Sequence, residues 1–309
     1  MRILFMGTPD FALPSLEKIA RSEYELIGVI TQPDKPTGRS YKITPPKVKE
    51  LAQKLNLKVW QPTSLKNKEG LELVKRLEPD LVIVVAFGKI LSPEFLHIPK
   101  LGSINLHASL LPKYRGSAPI QRAIIQGETK TGVTVMWISE ELDAGDIILQ
   151  QEVEISFLDT AGTLSQKIAS TGAELLLKAI KLIKEEKAPR IKQDTSQVSY
   201  APKLNKEDGL INWKKTNLEI YNLIRGLNPF PGTHIYYKNQ LLKVWETAII
   251  NEEGLPGQVL KILKDKGPVI GTGKGCLLIK QIQPANKKRL SGIEFVNGYR
   301  IKEGQIIGY

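Results

Sequence analysis

The chain predicts an α/β domain with a doubly wound, mostly parallel sheet, followed by a small β-barrel domain. Three features carry this. Short apolar runs alternate with helically spaced segments over the front of the chain. The run Leu81–Ala86 is unbroken apolar, as suits a central parallel strand buried on both faces. After Asn205, short β-branched runs follow one another closely, separated by Gly, Asn and Pro turns. At 309 residues the chain can bury a sizeable core and divides in two. We place the domains at residues 1–186 and 206–309, with 187–205 as the connector.

Taken in order, Ile3–Met6 is a short strand and Gly7 marks the turn after it. The full Gly-x-Gly-x-x-Gly is absent there, which argues against a nicotinamide site. Leu13, Leu16, Ile19 and Ala20 have helical spacing, and Glu25–Thr31 reads as the second strand. Gln32–Thr44 reads as a loop carrying Lys35, Arg39 and Lys42, stiffened by Pro33, Pro36 and Pro45 with Gly38 at its tip. It is longer than most strand-to-helix connections, so it is either functional or a solvated basic loop. Pro45–Leu55 predicts a helix, Leu57–Trp60 a strand, and Leu71, Val74 and Leu77 another helix. If Gly102–His107 is extended, the loop after it leads to a helix with Ser117 as N-cap, Pro119 in the first turn and Gly127 past the end. Gly132–Ser139 and Ile147–Ile155 are strand-like and flank Glu140–Asp146 as a hairpin or crossover. Thr163 with Gln166 makes a capping-box pattern before a long helix with an apolar stripe.

Lys187–Asn205 loses periodicity and carries Pro189 and Pro202, as a connector does. Thr216–Leu227 predicts a helix. Strands follow at Thr233–Lys238, Leu241–Ile250, Gln258–Leu263, Pro268–Ile270 and Cys276–Gln283, with Asn239-Gln240 as a tight turn. Gly271–Gly275 mimics a phosphate loop but is followed by a strand, so it reads as a flexible hairpin.

Composition narrows the function. No apolar run is long enough to span a membrane, and Met1 leads almost directly into a strand, so no signal peptide is expected. The one cysteine, Cys276, permits no internal disulfide and fits a reducing cytoplasm. With three histidines and that cysteine, no metal-ligand spacing is present. The net charge is +12 and lies almost wholly at the back: residues 1–177 hold 21 Lys/Arg against 20 Asp/Glu, while residues 206–309 hold 16 against 9. This fits a polyanion-binding second domain, and equally a lysine-rich surface that serves solubility.

The candidate chemistry lies at Asn105 and His107. Two apart on a strand, they leave the same face, an amide donor beside an imidazole. Alone, such a pair is more often turn and packing residues. Its surroundings change the reading. The string from His107 to Gln121 (His-Ala-Ser-Leu-Leu-Pro-Lys-Tyr-Arg-Gly-Ser-Ala-Pro-Ile-Gln), with Leu142-Asp143-Ala144-Gly145-Asp146 after it, resembles the folate-dependent formyltransferases. Within that family the resemblance is closest to the members that act on initiator Met-tRNA. Met6–Ala12, Gln32–Arg39, Gln193-Asp194, Tyr200–Lys203 and Arg225–Gly232 extend it along nearly the whole chain.

The resemblance implies a Rossmann-like catalytic domain, an OB-like basic tRNA-binding domain, and formyl transfer from 10-formyltetrahydrofolate to the amino group of methionine on initiator tRNA, with no metal. It implies Asn105 as oxyanion donor, His107 as polariser or proton relay, and Asp143 as the group that orients His107 and accepts charge. Without the motif, Asp143 and Asp146 would read as ordinary turn aspartates. It further implies that Ser109, Leu110, Leu111 and Pro112 lie against the folate, that Ala86, Phe87 and Gly88 bound the pterin pocket, and that Arg39, with Lys35 and Lys42, reaches the tRNA acceptor end. A cytoplasmic monomer with no membrane attachment is expected. Two other readings were weighed. A non-enzymatic RNA-binding protein would explain the charge but not the presence of Asn105, His107 and Asp143 together. Formylation of glycinamide ribonucleotide would keep the chemistry and leave the basic back third unexplained, and the two-domain enzymes that formylate amino-sugar nucleotides carry a dinucleotide-binding unit that is not seen after Lys206.

Overall fold

Strand β1 (Arg2–Gly7) is followed by helix α1 (Leu13–Ala20), β2 (Glu25–Ile30), the short pair β3 (Lys35–Thr37) and β4 (Lys42–Thr44), α2 (Lys47–Lys54), β5 (Val59–Trp60), α3 (Lys68–Leu77) and β6 (Leu81–Val85). Then come α4 (Pro93–Leu96), β7 (Ser103–His107), α5 (Pro119–Ile125), β8 (Lys130–Trp137), β9 (Ile147–Glu154) and α6 (Ala161–Lys184). The structure is a computed structural model and describes residues 1–37 and 42–308.

Seven strands form one sheet in the order β5-β2-β1-β6-β7-β8-β9. The first five are parallel, and β8 and β9 complete the sheet as antiparallel strands, with β9 at the edge. Every residue of β6 is buried, which explains its unbroken apolar run. The chain winds outward from β1 to β2 and β5, then returns to β6 on the other side of β1. Ligands of such sheets bind beyond the carboxyl ends of the strands at that reversal. Among the described residues no helix is long and apolar enough to cross a membrane.

Two compact units result. The first comprises Met1–Pro119, Lys130–Glu154 and Ser165–Ala201; the second takes the chain from Pro202 onward together with Ile120–Thr129 and Ile155–Leu164. The second unit contains α7 (Asn217–Gly226), β10 (Thr233–Tyr237), β11 (Gln240–Ile250), β12 (Val259–Leu263), β13 (Gly267–Gly271), β14 (Cys276–Pro284), β15 (Leu290–Ser291) and α8 (Gly292–Tyr299). Its six-stranded antiparallel sheet runs β10-β11-β14-β13-β12, with β15 paired to β14. Ile235 and Tyr237 on one edge strand and Val259 on the other share a single buried cluster with Phe295 of α8, so the sheet curls around one core. Register shifts in β11 at Val244–Thr247 supply the bend.

Several local expectations need correction. Gln32–Thr44 is not a plain loop: β3 and β4 pair antiparallel, Lys35 with Thr44 and Pro36 with Ile43. A two-stranded ribbon has only edge strands, so Pro36 is tolerated. The long helix begins at Ala161, before Thr163, and the reciprocal bonds at its start join Thr160 and Thr163. Helix α5 begins at Pro119, one residue later than a Ser117 cap requires. The hairpin after β10 turns on Lys238 and Asn239, with φ of 48° and 59°, not on Asn239-Gln240. Helix α8 went unread because Gly292, Gly298 and its β-branched and aromatic residues have low helix propensity. Its signal was the capping box formed by Ser291 and Glu294. The phosphate-loop mimic closes the β13–β14 hairpin; Gly273 N donates to Lys215 O, so that amide is already engaged.

Candidate active site

Strand β7 presents the predicted pair at its carboxyl end. Ser103, Ile104, Leu106 and His107 are buried and Asn105 is half-buried. Asn105 lies level with Val84 of β6 and Met136 of β8, and its amide makes no hydrogen bond among the described residues. His107 is 6% exposed, and its Nε2 lies 3.0 Å from Tyr114 O. A carbonyl oxygen only accepts, so this contact assigns the proton to Nε2 and leaves Nδ1 as the basic nitrogen. Nδ1 faces Asp143 Oδ2 at 3.6 Å. That distance is an ionic contact, too long for a hydrogen bond, and it becomes attractive when Nδ1 takes a proton.

Asp143 is held from two directions. Its Oδ2 accepts from Gly116 N at 2.8 Å, and its backbone is left-handed, with φ of 50°. Gly116 itself has φ of 124°, and a Cβ there would sit 2.7 Å from Ala201 O. A side chain at this position would therefore meet backbone, which accounts for the glycine. The second hold is Gln193, whose Nε2 donates to Asp143 O at 2.8 Å and to Gly145 O at 2.9 Å. Gln193 Oε1 in turn accepts from Arg115 Nε and Nη2, at 3.1 and 2.8 Å. Arg115 is 4% exposed and also reaches Glu141 at 3.2 Å. Its N donates to Ser199 O, and Ala201 N donates to Arg115 O, so residues 193–201 run along the central loop.

The segment Ser109–Pro112 is fixed from beneath by β8 and β9. Thr134 Oγ1 donates to Ser109 O and accepts from Leu111 N and from Gln150 Nε2, which also donates to Leu111 O. Ser109 is fully buried, with its hydroxyl donating to Lys113 O at 2.6 Å. Leu111 packs with Met136 and Ile147, while Leu110 and Pro112 are half-buried. Beyond β6, Ala86 and Gly88 are exposed with left-handed backbone and Phe87 is buried between them. Phe87 O accepts from Thr8 Oγ1 and Gln32 Nε2, which ties this turn to β1 and to the base of the β3–β4 hairpin. There the Gln61 amide, followed by Lys49, holds the Asp34 carboxyl below the usual carboxylate range. Lys35 is exposed on the hairpin and donates to Gln32 Oε1; Lys42 pairs with Thr37 in its register. Arg39 lies outside the described residues.

His107 and Asp143 thus meet at the end of β7, with Asn105 two residues back along the same strand and Tyr114 and Gly116 bonded to the pair. The sequence carries Arg115 and Gln193 only as parts of the family motifs, with no role assigned to either, and gives no sign of Thr134 or Gln150. A polar Gln193-Asp194 pair within an otherwise shared motif was the available signal. Among the described residues, no three His, Cys, Asp or Glu side chains gather as a metal-ligand set.

Comparison with known proteins places the chain in a family. Residues 1–180 match the formyl transferase family and residues 203–300 its C-terminal domain. The methionyl-tRNA formyltransferase of Pelotomaculum thermopropionicum is 46% identical over 100% of this chain and 99% of its own. That of Acetivibrio thermocellus is 47% identical, with full coverage of both. Among solved structures, the sugar 3N-formyl transferase WlaRD, crystallised with dTDP and 5-N-formyl-THF, is 25% identical with a TM-score of 0.69, covering 93% of this chain and 99% of that one. HypX from Aquifex aeolicus, in complex with tetrahydrofolic acid, shares the fold at 18% identity and a TM-score of 0.66; this chain spans about half of HypX, 51%. The chain belongs to the methionyl-tRNA formyltransferase family of formyl transferases.

Proposed function

We propose that this protein transfers the formyl group of 10-formyltetrahydrofolate to the amino group of methionine on initiator Met-tRNA, as a cytoplasmic monomer. The observation that carries the reading is the His107–Asp143 pair at the end of the strand that also bears Asn105, on a chain that relatives of that name match from end to end. Residues 1–186 carry the chemistry, 187–205 connect, and the basic residues 206–309 hold the tRNA.

The folate supplies, when bound, an N-formyl group, an acyl carbon ready for transfer between nitrogens. Open main chain at Ala86 and Gly88, backed by buried Phe87, suits a flat polar pterin, and Ser109–Pro112 form the wall beside it. The Asn105 amide donates to the formyl oxygen as charge develops there; one such donor is worth about 2.7–4 kcal/mol. The attacking α-amino group titrates at roughly pH 7.7–8.0, so it needs little activation but must shed a proton afterwards. Nδ1 of His107 takes that proton, the Asp143 carboxylate stabilises the resulting imidazolium, and the imidazolium returns the proton to the folate nitrogen as its bond to the formyl carbon breaks and tetrahydrofolate leaves. Lys35, Arg39 and Lys42 engage the acceptor end, where arginine's planar fork pairs with phosphates or stacks on bases.

The test is to offer 10-formyltetrahydrofolate with a panel of aminoacyl-tRNAs, glycinamide ribonucleotide and an amino-sugar nucleotide. Initiator Met-tRNA is expected to be formylated and the small acceptors left unmodified. Formylation of a small acceptor but not of Met-tRNA would end this reading.

A further inference from the structure

The segment Asn228-Pro229-Phe230-Pro231-Gly232 belongs to the second unit and has no part in the site above. It is tightly held. Asn228 Nδ2 donates to Trp245 O at 3.1 Å, Lys243 Nζ donates to Pro231 O at 2.9 Å, and Gly232 N donates to Leu227 O at 2.9 Å. Pro229 and Pro231 restrict φ on either side of Phe230. On this rigid turn the Phe230 side chain points outward, 76% exposed. A lone exposed apolar residue is ordinary; its surroundings here are not.

Near the turn are cations that form no ion pair with a described residue. Lys243 Nζ and Arg289 Cζ lie 5.1 and 4.1 Å from the Trp245 ring centroid, and Lys287 Nζ lies 5.7 Å from that of Tyr299. Lys287, Lys288 and Arg289 are exposed, and none of these four cations forms an ion pair with a described residue. Elsewhere on the same sheet Lys261 and Lys280 are each matched by a glutamate. The charges of Lys243, which is bonded to the turn at Pro231, and of Arg289, which shares the Trp245 ring with it, are thus not met by an ion pair among the described residues.

We infer that Phe230 is a stacking platform for an unpaired RNA base, with Lys243 and Arg289 on the flanking phosphates. The inference rests on the tRNA reading above and adds a contact which that reading does not contain. A rigid aromatic offers its face at little entropic cost, every base has a matching face, and nearby cations favour the backbone. A protein partner or a second copy of the chain would instead use Phe230 with exposed Leu158, whose loop reaches Pro229 through the bond from Gly162 N to Asn228 O.

Affinity of the full chain should be measured for initiator Met-tRNA, an unstructured pyrimidine oligoribonucleotide and a blunt RNA duplex, over a range of salt. Phe230→Ala should weaken tRNA and oligonucleotide binding about tenfold, leave duplex binding and thermal stability unchanged, and preserve the salt slope. Phe230→Leu should do no better, since it lacks a π face. Phe230→Trp should bind normally and show quenched emission with the oligonucleotide. Arg289→Ala should reduce the slope of log affinity against log salt by about one. If wild type does not formylate Met-tRNA but Phe230→Ala still loses the oligonucleotide, the platform stands and the substrate reading falls. Wild-type oligonucleotide affinity in Phe230→Ala, full rescue by leucine, or loss of self-association with RNA binding intact would each overturn the inference.

Discussion

Replacing Gln193 with alanine should slow catalysis although Gln193 touches no reacting atom in this account. Its side chain makes four hydrogen bonds, two to the carbonyls of Asp143 and Gly145 and two from the Arg115 guanidinium. Alanine leaves a buried guanidinium with Glu141 as its remaining side-chain partner, and two carbonyls without their donor. An unpaired buried polar group costs about 1–3 kcal/mol, and water can replace part of the loss at this half-buried residue. A net loss of roughly 2 kcal/mol would lower Tm by about 4–8 °C. The rate effect comes through Asp143, whose left-handed backbone persists only while its neighbours hold it; such strain is worth about 1–3 kcal/mol. Once released, the loop relaxes and carries the carboxylate away from His107. We expect kcat to fall about 10- to 100-fold, or roughly 1.4–2.7 kcal/mol, with KM for Met-tRNA nearly unchanged. Gln193→Glu keeps an acceptor for Arg115 but cannot donate to the two carbonyls, so it should recover stability and not rate. Steady-state formylation and thermal unfolding of both variants decide the matter. A Gln193→Ala enzyme with lower Tm and wild-type kcat would refute the reasoning, as would rate recovery in Gln193→Glu.

Gly116→Ala should lower activity at least about tenfold and lower Tm, because a Cβ against Ala201 O must displace the amide that Asp143 accepts from; wild-type values for both would show the glycine is incidental. Arg39→Ala should strongly reduce formylation of Met-tRNA while exchange of the folate donor alone is spared, and Arg39→Lys should rescue little; formylation at the wild-type rate would return the hairpin to a connector. Burial, and then Lys243, push His234 below the ordinary histidine pKa. The unfolded chain therefore binds this proton first, and stability should fall as pH drops through about 6.5, levelling off below the folded pKa. His234→Asn should flatten that limb of an unfolding titration, and an unchanged limb would remove His234 as its source.

The sheet was legible because β6 is buried on both faces and its sequence is apolar without a break, and because β7 repeats with period two. Asn105, His107 and Asp143 were legible through a shared motif; spacing alone left them indistinguishable from turn residues. The clamp on Asp143 was not, since Gln193 and Arg115 are 78 residues apart and nothing local announces a long-range hydrogen bond. Thr134 was hidden for a similar reason: in a strand it reads as a β-branched filler, yet its hydroxyl joins Ser109, Leu111 and Gln150. Local chemistry also misled at the β3–β4 hairpin, where three prolines suggested a loop and cross-strand pairing made a ribbon.

The amide of Asn105, which makes no hydrogen bond among the described residues, is the proposed donor to the formyl oxygen. The most direct test is the single-turnover rate of formyl transfer to saturating initiator Met-tRNA, wild type against Asn105→Ala, with tRNA affinity measured in parallel. The account predicts a loss of about 100-fold or more, from roughly 2.7–4 kcal/mol of lost stabilisation, with tRNA affinity nearly unchanged. An Asn105→Ala enzyme retaining more than about a tenth of the rate, a loss under roughly 1.4 kcal/mol, would contradict it.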